Sequence, residues 1–193
     1  MTQAQLFSEP ADTGDPRPFL GRVRIRNYKS IGRCDARLRA VTILVGRNGS
    51  GKSNFLDALR FVEDSLLTSV AHAMNSGGGI DAVRRRSTGH PRNFAIELEL
   101  NLPDGQQGTY GFEIAGRDKG GFVVKQERLN IWDASGIAVS HYELEDAQLK
   151  RQSARSMPPA LPDRLYLVNA AGLPDFRAGY DGLISSPISG AGG

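Results

Sequence analysis

Eight residues constrain this chain more than any others: Gly46-Arg47-Asn48-Gly49-Ser50-Gly51-Lys52-Ser53. They satisfy the pattern G-x-x-x-x-G-K-[S/T] at every fixed position. The run before them, Val41-Thr42-Ile43-Leu44-Val45, is mostly apolar and β-branched, and predicts a strand buried on both faces. After them Phe55, Leu59, Val62 and Leu66 recur at spacings of four, three and four, which predicts a helix from about Lys52 to Ser69. Strand, glycine loop and helix in this order are what a phosphate-binding loop requires. Gly46, Gly49 and Gly51 let the backbone curl with no Cβ in the way, so that successive N–H groups point inward. The helix N-terminus adds unpaired N–H groups and roughly +0.5 of dipole charge. Lys52 is the expected catalytic residue, reaching the β- and γ-phosphates, and the Ser53 hydroxyl the expected Mg²⁺ ligand. Arg47, Asn48 and Ser50 line the same loop.

Elsewhere the period is two. Arg22-Val23-Arg24-Ile25-Arg26 alternates as a half-exposed strand does. Phe94, Ile96, Leu98, Leu100 and Leu102 alternate again, then Tyr110, Phe112 and Ile114, then residues 122–132 and 137–144, with short turns between. Four such strands predict an antiparallel meander over about 94–144. Residues 145–163 are polar and then Pro-rich, a predicted linker, and Leu165-Tyr166-Leu167-Val168 reads as one more strand. Residues 1–18 and 181–193 read as flexible tails around a domain at 19–180.

Composition excludes several classes. No run of about 18 apolar residues exists, so no membrane partner is expected. The polar start is no secretory signal. A single cysteine, Cys34, permits no internal disulfide and fits a reducing, cytoplasmic compartment. Nine basic residues lie between Arg17 and Arg47 against one acid, Asp35, a local excess of eight charges. Such a stretch serves phosphates or nucleic acid, or is a solvated strand face; the sequence leaves both open. Arg84-Arg85-Arg86, after a glycine-rich loop, is a candidate clamp on nucleotide or DNA phosphates.

Ile25-Arg26-Asn27-Tyr28-Lys29-Ser30-Ile31, the apolar run 41–45, the loop through Asn54, and Leu56-Asp57-Ala58-Leu59 together resemble the N-terminal part of SMC/RecF/OLD-type ABC ATPases. The resemblance is sharpest at the loop and extends more softly over residues 22–182. It implies an α/β P-loop NTPase fold: the N-terminal half of an ABC-ATPase-like head with an antiparallel β-meander lobe. It further implies ATP and Mg²⁺ as ligands, Lys29 and Asn54 beside the nucleotide, and hydrolysis in a composite site between two heads of a homodimer that sandwich ATP. The implied roles are DNA repair, chromosome maintenance or phage defence, with DNA as a possible partner.

The pattern departs from the family in two respects. An apolar strand ending in an acid pair is absent, and Ile188-Ser189-Gly190-Ala191-Gly192-Gly193 imitates a signature motif only superficially. The chain therefore reads as a partial head, hydrolysing ATP when its other half is supplied. Two alternatives stand beside it: a non-hydrolysing nucleotide- or nucleic-acid-binding module, and an ABC transporter subunit, against which Asn54 counts.

Overall fold

The structure, a computed structural model, describes residues 18–83, 93–117 and 120–185, together with the backbone of residues 5–7. The elements run β1 (Gln5–Phe7), β2 (Leu20–Tyr28), β3 (Ile31–Arg37), β4 (Ile43–Val45), α1 (Lys52–Leu67), α2 (Val70–Ser76) and α3 (Ile80–Val83). They continue with β5 (Asn93–Asn101), β6 (Gln107–Gly116), β7 (Phe122–Trp132), β8 (Ala138–Glu145), β9 (Gln148–Gln152), α4 (Leu167–Ala170) and α5 (Pro174–Ser185).

Seven strands form one antiparallel sheet in the order β3-β2-β5-β6-β7-β8-β9. The predicted meander is its β5–β8 portion, and the alternation fixes which face is covered. Val23 and Ile25 on β2, Phe94, Ile96 and Leu98 on β5, and Tyr110, Phe112 and Ile114 on β6 all point to one buried face. Helix α1 packs on that face through Phe55, Ala58, Leu59, Phe61, Val62 and Leu66. Four of these are the predicted stripe. Tyr28, Phe61 and Phe94 meet edge to face at centroid distances of 5.4–6.0 Å, which locks α1 to β2 and β5. At the far end Tyr142 takes Tyr166 and Phe176 edge-on at 5.1 and 5.5 Å, docking the C-terminal segment.

The opposite face is polar and carries the arginines of β2. Arg22 forks onto Asp35 at 2.6 and 2.8 Å; Arg24 bonds Glu97 and, at 2.6 Å, Glu99; Arg128 bonds the other oxygen of Glu97. The Arg22 guanidinium holds the Asp35 carboxyl below its usual range. Arg22, Arg24 and Arg128 on this face are thus matched by carboxylates on neighbouring strands. That favours the solvated-face reading of this part of the basic stretch.

Three expectations change. Residues 41–45 are not buried on both faces: Val41, Ile43 and Val45 are 77, 64 and 51% exposed. The reason is topological, because β4 lies outside the seven-stranded sheet and, among the described residues, pairs with β1 alone. Leu165–Val168 is not a strand but the entry to α4, since the Tyr166 and Leu167 N–H groups donate to a buried carboxylate, Glu127, instead of to a strand. The segment read as a C-terminal tail is helical as far as Ser185, where Phe176, Tyr180 and Leu183 continue a helical spacing and Leu183 is fully buried. Residues 186–193 lie outside the described residues. Strands β3 and β9, the latter inside the predicted linker, and helices α2 and α3 had no strong periodic signal.

Candidate phosphate-binding site

The site is built where β4 hands over to α1. Gly49 and Gly51 have φ of 82° and 98°, in the left-handed region that L side chains avoid, so the two glycines are required for the loop to close over itself. The Ser50 N–H donates to the Arg47 carbonyl at 3.1 Å and closes the tight turn. Gly51 is the N-cap of α1 and supplies no side-chain acceptor. No acidic residue stands in the first turn either. This 16-residue helix therefore begins with N–H groups that no side chain satisfies, the condition under which an anion binds.

Lys52 folds back over the loop. Its ammonium donates to the carbonyls of Gly46 and Arg47 at 2.5 and 3.0 Å, and lies 3.4 Å from the Ser50 hydroxyl oxygen. A cation thus sits at the mouth of the turn, on weak neutral acceptors that anionic oxygens outcompete. The Ser53 side chain follows, exposed at the first turn of the helix. These groups fit a nucleotide phosphate with its cation: donors from the loop and helix, one ammonium held on neutral acceptors, and one exposed hydroxyl to ligate.

The turn between β2 and β3 completes the site. Gly51 lies against it: a Cβ there would stand 3.5 Å from the Ile31 side chain and 3.6 Å from the Ser30 hydroxyl. Asn54 donates to that hydroxyl at 2.7 Å. Lys29 reaches Asp57 on α1 at 2.6 Å. The Tyr28 hydroxyl donates to the same carboxylate oxygen, also at 2.6 Å. Burial, reinforced by this bond, pushes the Tyr28 phenol far above its ordinary range, so it stays protonated and able to donate.

Of the residues singled out in the sequence, Gly46 to Asn54 and the Lys29 turn come together. Arg84, Arg85 and Arg86 lie outside the described residues. Tyr28 and Asp57 were not assigned roles in the site. The signal for Asp57 was its place four residues after Ser53, on the same helix face. A second concavity, of about 360 Å³, opens on the polar sheet face between Arg24, Glu97, Gly111 and Arg128. Its arginines face carboxylates of opposite charge, such as Glu97, and offer no comparable cradle. Among the described residues no cluster of His, Cys, Asp and Glu is placed to hold a metal ion, and no helix is long and apolar enough to cross a membrane.

Comparison with known proteins places the chain in a family. Residues 41–186 match the model of a family described as "AAA domain, putative AbiEii toxin, Type IV TA system". The match takes in β4, the glycine loop and every element from α1 to α5, and the chain belongs to that family of AAA-type ATPase domains. No curated protein matches it. Among solved structures it is similar to a chain from "Structural biochemistry of ATP-driven dimerization and DNA stimulated activation of SMC ATPases". The identity is 23% and the TM-score 0.37, over 72% of this chain and 74% of that one.

Proposed function

We propose that the chain binds ATP with Mg²⁺ through residues 46–54 and is the nucleotide-binding part of an ATPase. The observation that carries this reading is the strand, glycine turn and uncapped helix with the Lys52 ammonium across the loop carbonyls. The backbone amides of the turn and first helical residues cradle the phosphates. Lys52 neutralises the charge that builds on the β- and γ-phosphates as water attacks. The Ser53 hydroxyl is the protein ligand of Mg²⁺, which supplies further charge neutralisation when bound. Arg47, Asn48 and Ser50 line the loop, and Asn54 and Lys29 border it.

The exposure of β4 supports a further part of the reading. Leu44 packs against the core, but Ile43 and Val45 leave the other face of β4 apolar and uncovered, and elements supplied by the rest of an ATPase head would cover it. That other half would bring the acid pair and signature motif, and two heads would close on ATP as a homodimer. Of the roles in DNA repair, chromosome maintenance and phage defence, the family description, with its type IV toxin–antitoxin system, lies nearest to defence. DNA is the candidate macromolecular partner, and a cytoplasmic location follows from the same reading. A nucleotide- or nucleic-acid-binding module without hydrolysis is the second reading, favoured by the lack of an acid pair after an apolar strand.

The test is calorimetric titration with ATP, with and without Mg²⁺, on the wild type and Ser53→Ala. The reading predicts that Mg²⁺ tightens binding in the wild type and that Ser53→Ala loses most of this gain, roughly tenfold for one strong ligand. Equal affinity in all four titrations contradicts it. Phosphate release followed with the other half of the head supplied separates the two readings.

A further inference from the structure

The turn beside the glycine loop is held in a conformation its residues resist. Asn27 and Lys29 have φ of 54° and 46°, left-handed values without glycine, and Lys29 is the more constrained because its side chain gains nothing locally from that region. Strain of this kind persists only where the surroundings over-determine the backbone. Here they do. The Lys29 N–H donates to the Val83 carbonyl at 2.6 Å. The Lys29 ammonium and the Tyr28 hydroxyl both end on one oxygen of Asp57, each at 2.6 Å. Ser30 is fixed by Asn54. Two residues of α1, three apart and on one face, therefore hold three consecutive residues of the turn.

The sign of Asp57 is the informative point. A carboxylate beside a phosphate cradle repels the ligand, so its presence there opposes anion binding unless it does something else. What it touches is the one lysine of the turn. Tyr28 is a buried donor and needs an acceptor; Asp57 supplies it and is charge-balanced by Lys29. We propose that Asp57 is a positioning residue for nucleotide binding: it fixes Lys29 and its strained turn against Gly51, so that the ammonium stands ready at the rim of the phosphate loop. This rests on the nucleotide-binding reading above. Lys29 is shared between Asp57 and the phosphates when ATP is present, and the entropy of ordering a long flexible side chain is lost before binding instead of during it.

The experiment is a double-mutant cycle on ATP affinity by calorimetry, with Asp57→Asn, Lys29→Met and the double variant, and Lys52→Ala as reference. Asp57→Asn keeps the size and an acceptor for Tyr28 but removes the charge. Positioning predicts that each single variant weakens ATP binding by roughly three- to tenfold and that the double is no weaker than either. It also predicts that AMP, without the β- and γ-phosphates, loses little. If Asp57 merely repels the ligand, Asp57→Asn binds ATP more tightly; that outcome, or single effects that multiply, overturns the proposal. Should Asp57→Asn fail to fold, Lys29→Met carries the test, and unchanged ATP affinity in that variant overturns it. Loss on Lys52→Ala without loss on Lys29→Met or Asp57→Asn defeats this inference alone. ATP binding indifferent to Lys52→Ala defeats the nucleotide reading with it.

Discussion

Glu127→Ala is expected to lower the unfolding free energy by about 4 kcal/mol, the largest single effect on stability in this chain. Glu127 lies on β7 with 1% of its surface exposed. Its Oε1 accepts the hydroxyls of Tyr110 and Tyr142 at 3.1 and 2.9 Å and the Leu167 N–H at 2.9 Å; Oε2 accepts the Tyr166 N–H at 2.5 Å. Alanine leaves two phenols and two backbone N–H groups without an acceptor, and opens a cavity among Tyr110, Tyr142 and Tyr166. At about 2–4 °C per kcal/mol for a chain of this size, the thermal midpoint should fall by roughly 8–16 °C. The same residue sets a pH dependence. Burial pushes its carboxyl up from 4.5 to about 7, against the pull of its four hydrogen bonds. The folded state therefore binds this proton more tightly than the unfolded chain does. Its contribution is full below about pH 4.5 and is lost as pH rises through about 7, on the order of 3 kcal/mol in all. Urea midpoints at pH 5 and pH 7 check the sign: the Glu127 contribution makes the wild type more stable at pH 5, and Glu127→Gln removes that difference.

Lys52→Ala is expected to weaken ATP binding by about tenfold to a hundredfold, the worth of a charge-assisted hydrogen bond to phosphate, while leaving the fold intact. The ammonium's partners are loop carbonyls and the Ser50 hydroxyl, none in the core, so the thermal midpoint should move by less than about 2 °C. Lys52→Arg should not restore affinity, because the guanidinium is larger than the compact ammonium that the carbonyls of Gly46 and Arg47 enclose. Parallel thermal melts and ATP titrations on the two variants check both statements.

What was legible in the sequence follows from how local each signal is. The glycine loop was readable because a chain-local pattern dictates both its backbone and its chemistry. The stripe of Phe55, Leu59, Val62 and Leu66 and the alternation from Phe94 to Leu144 were readable for the same reason, since period alone assigns a face. The failures are non-local. An apolar run such as 41–45 encodes a demand for cover, not the presence of cover: Leu44 finds the core, but among the described residues β4 has no strand neighbour besides β1 and its other face stays exposed. Leu165–Val168 has strand composition, but a carboxylate about forty residues earlier captures two of its N–H groups and turns it into a helix. Glu127 itself sits at an apolar-facing position of an alternating strand, and only the two tyrosines and the α4 entrance explain why an acid is tolerated there. The pairing of Asp57 with Tyr28 and Lys29 spans 29 and 28 residues and could not be read from either segment alone.

The central claim is that the backbone amides between Gly46 and Asn54 receive the phosphates. Amide resonances followed by NMR during titration with ATP and Mg²⁺ test it most directly. The account predicts downfield shifts concentrated at Gly49, Gly51, Lys52 and Ser53, a smaller response at Lys29 and Ser30, and stationary resonances for Glu97, Gly111 and Arg128 on the polar sheet face. Shifts centred on that sheet face, with the loop amides unmoved at saturating ATP, would contradict it.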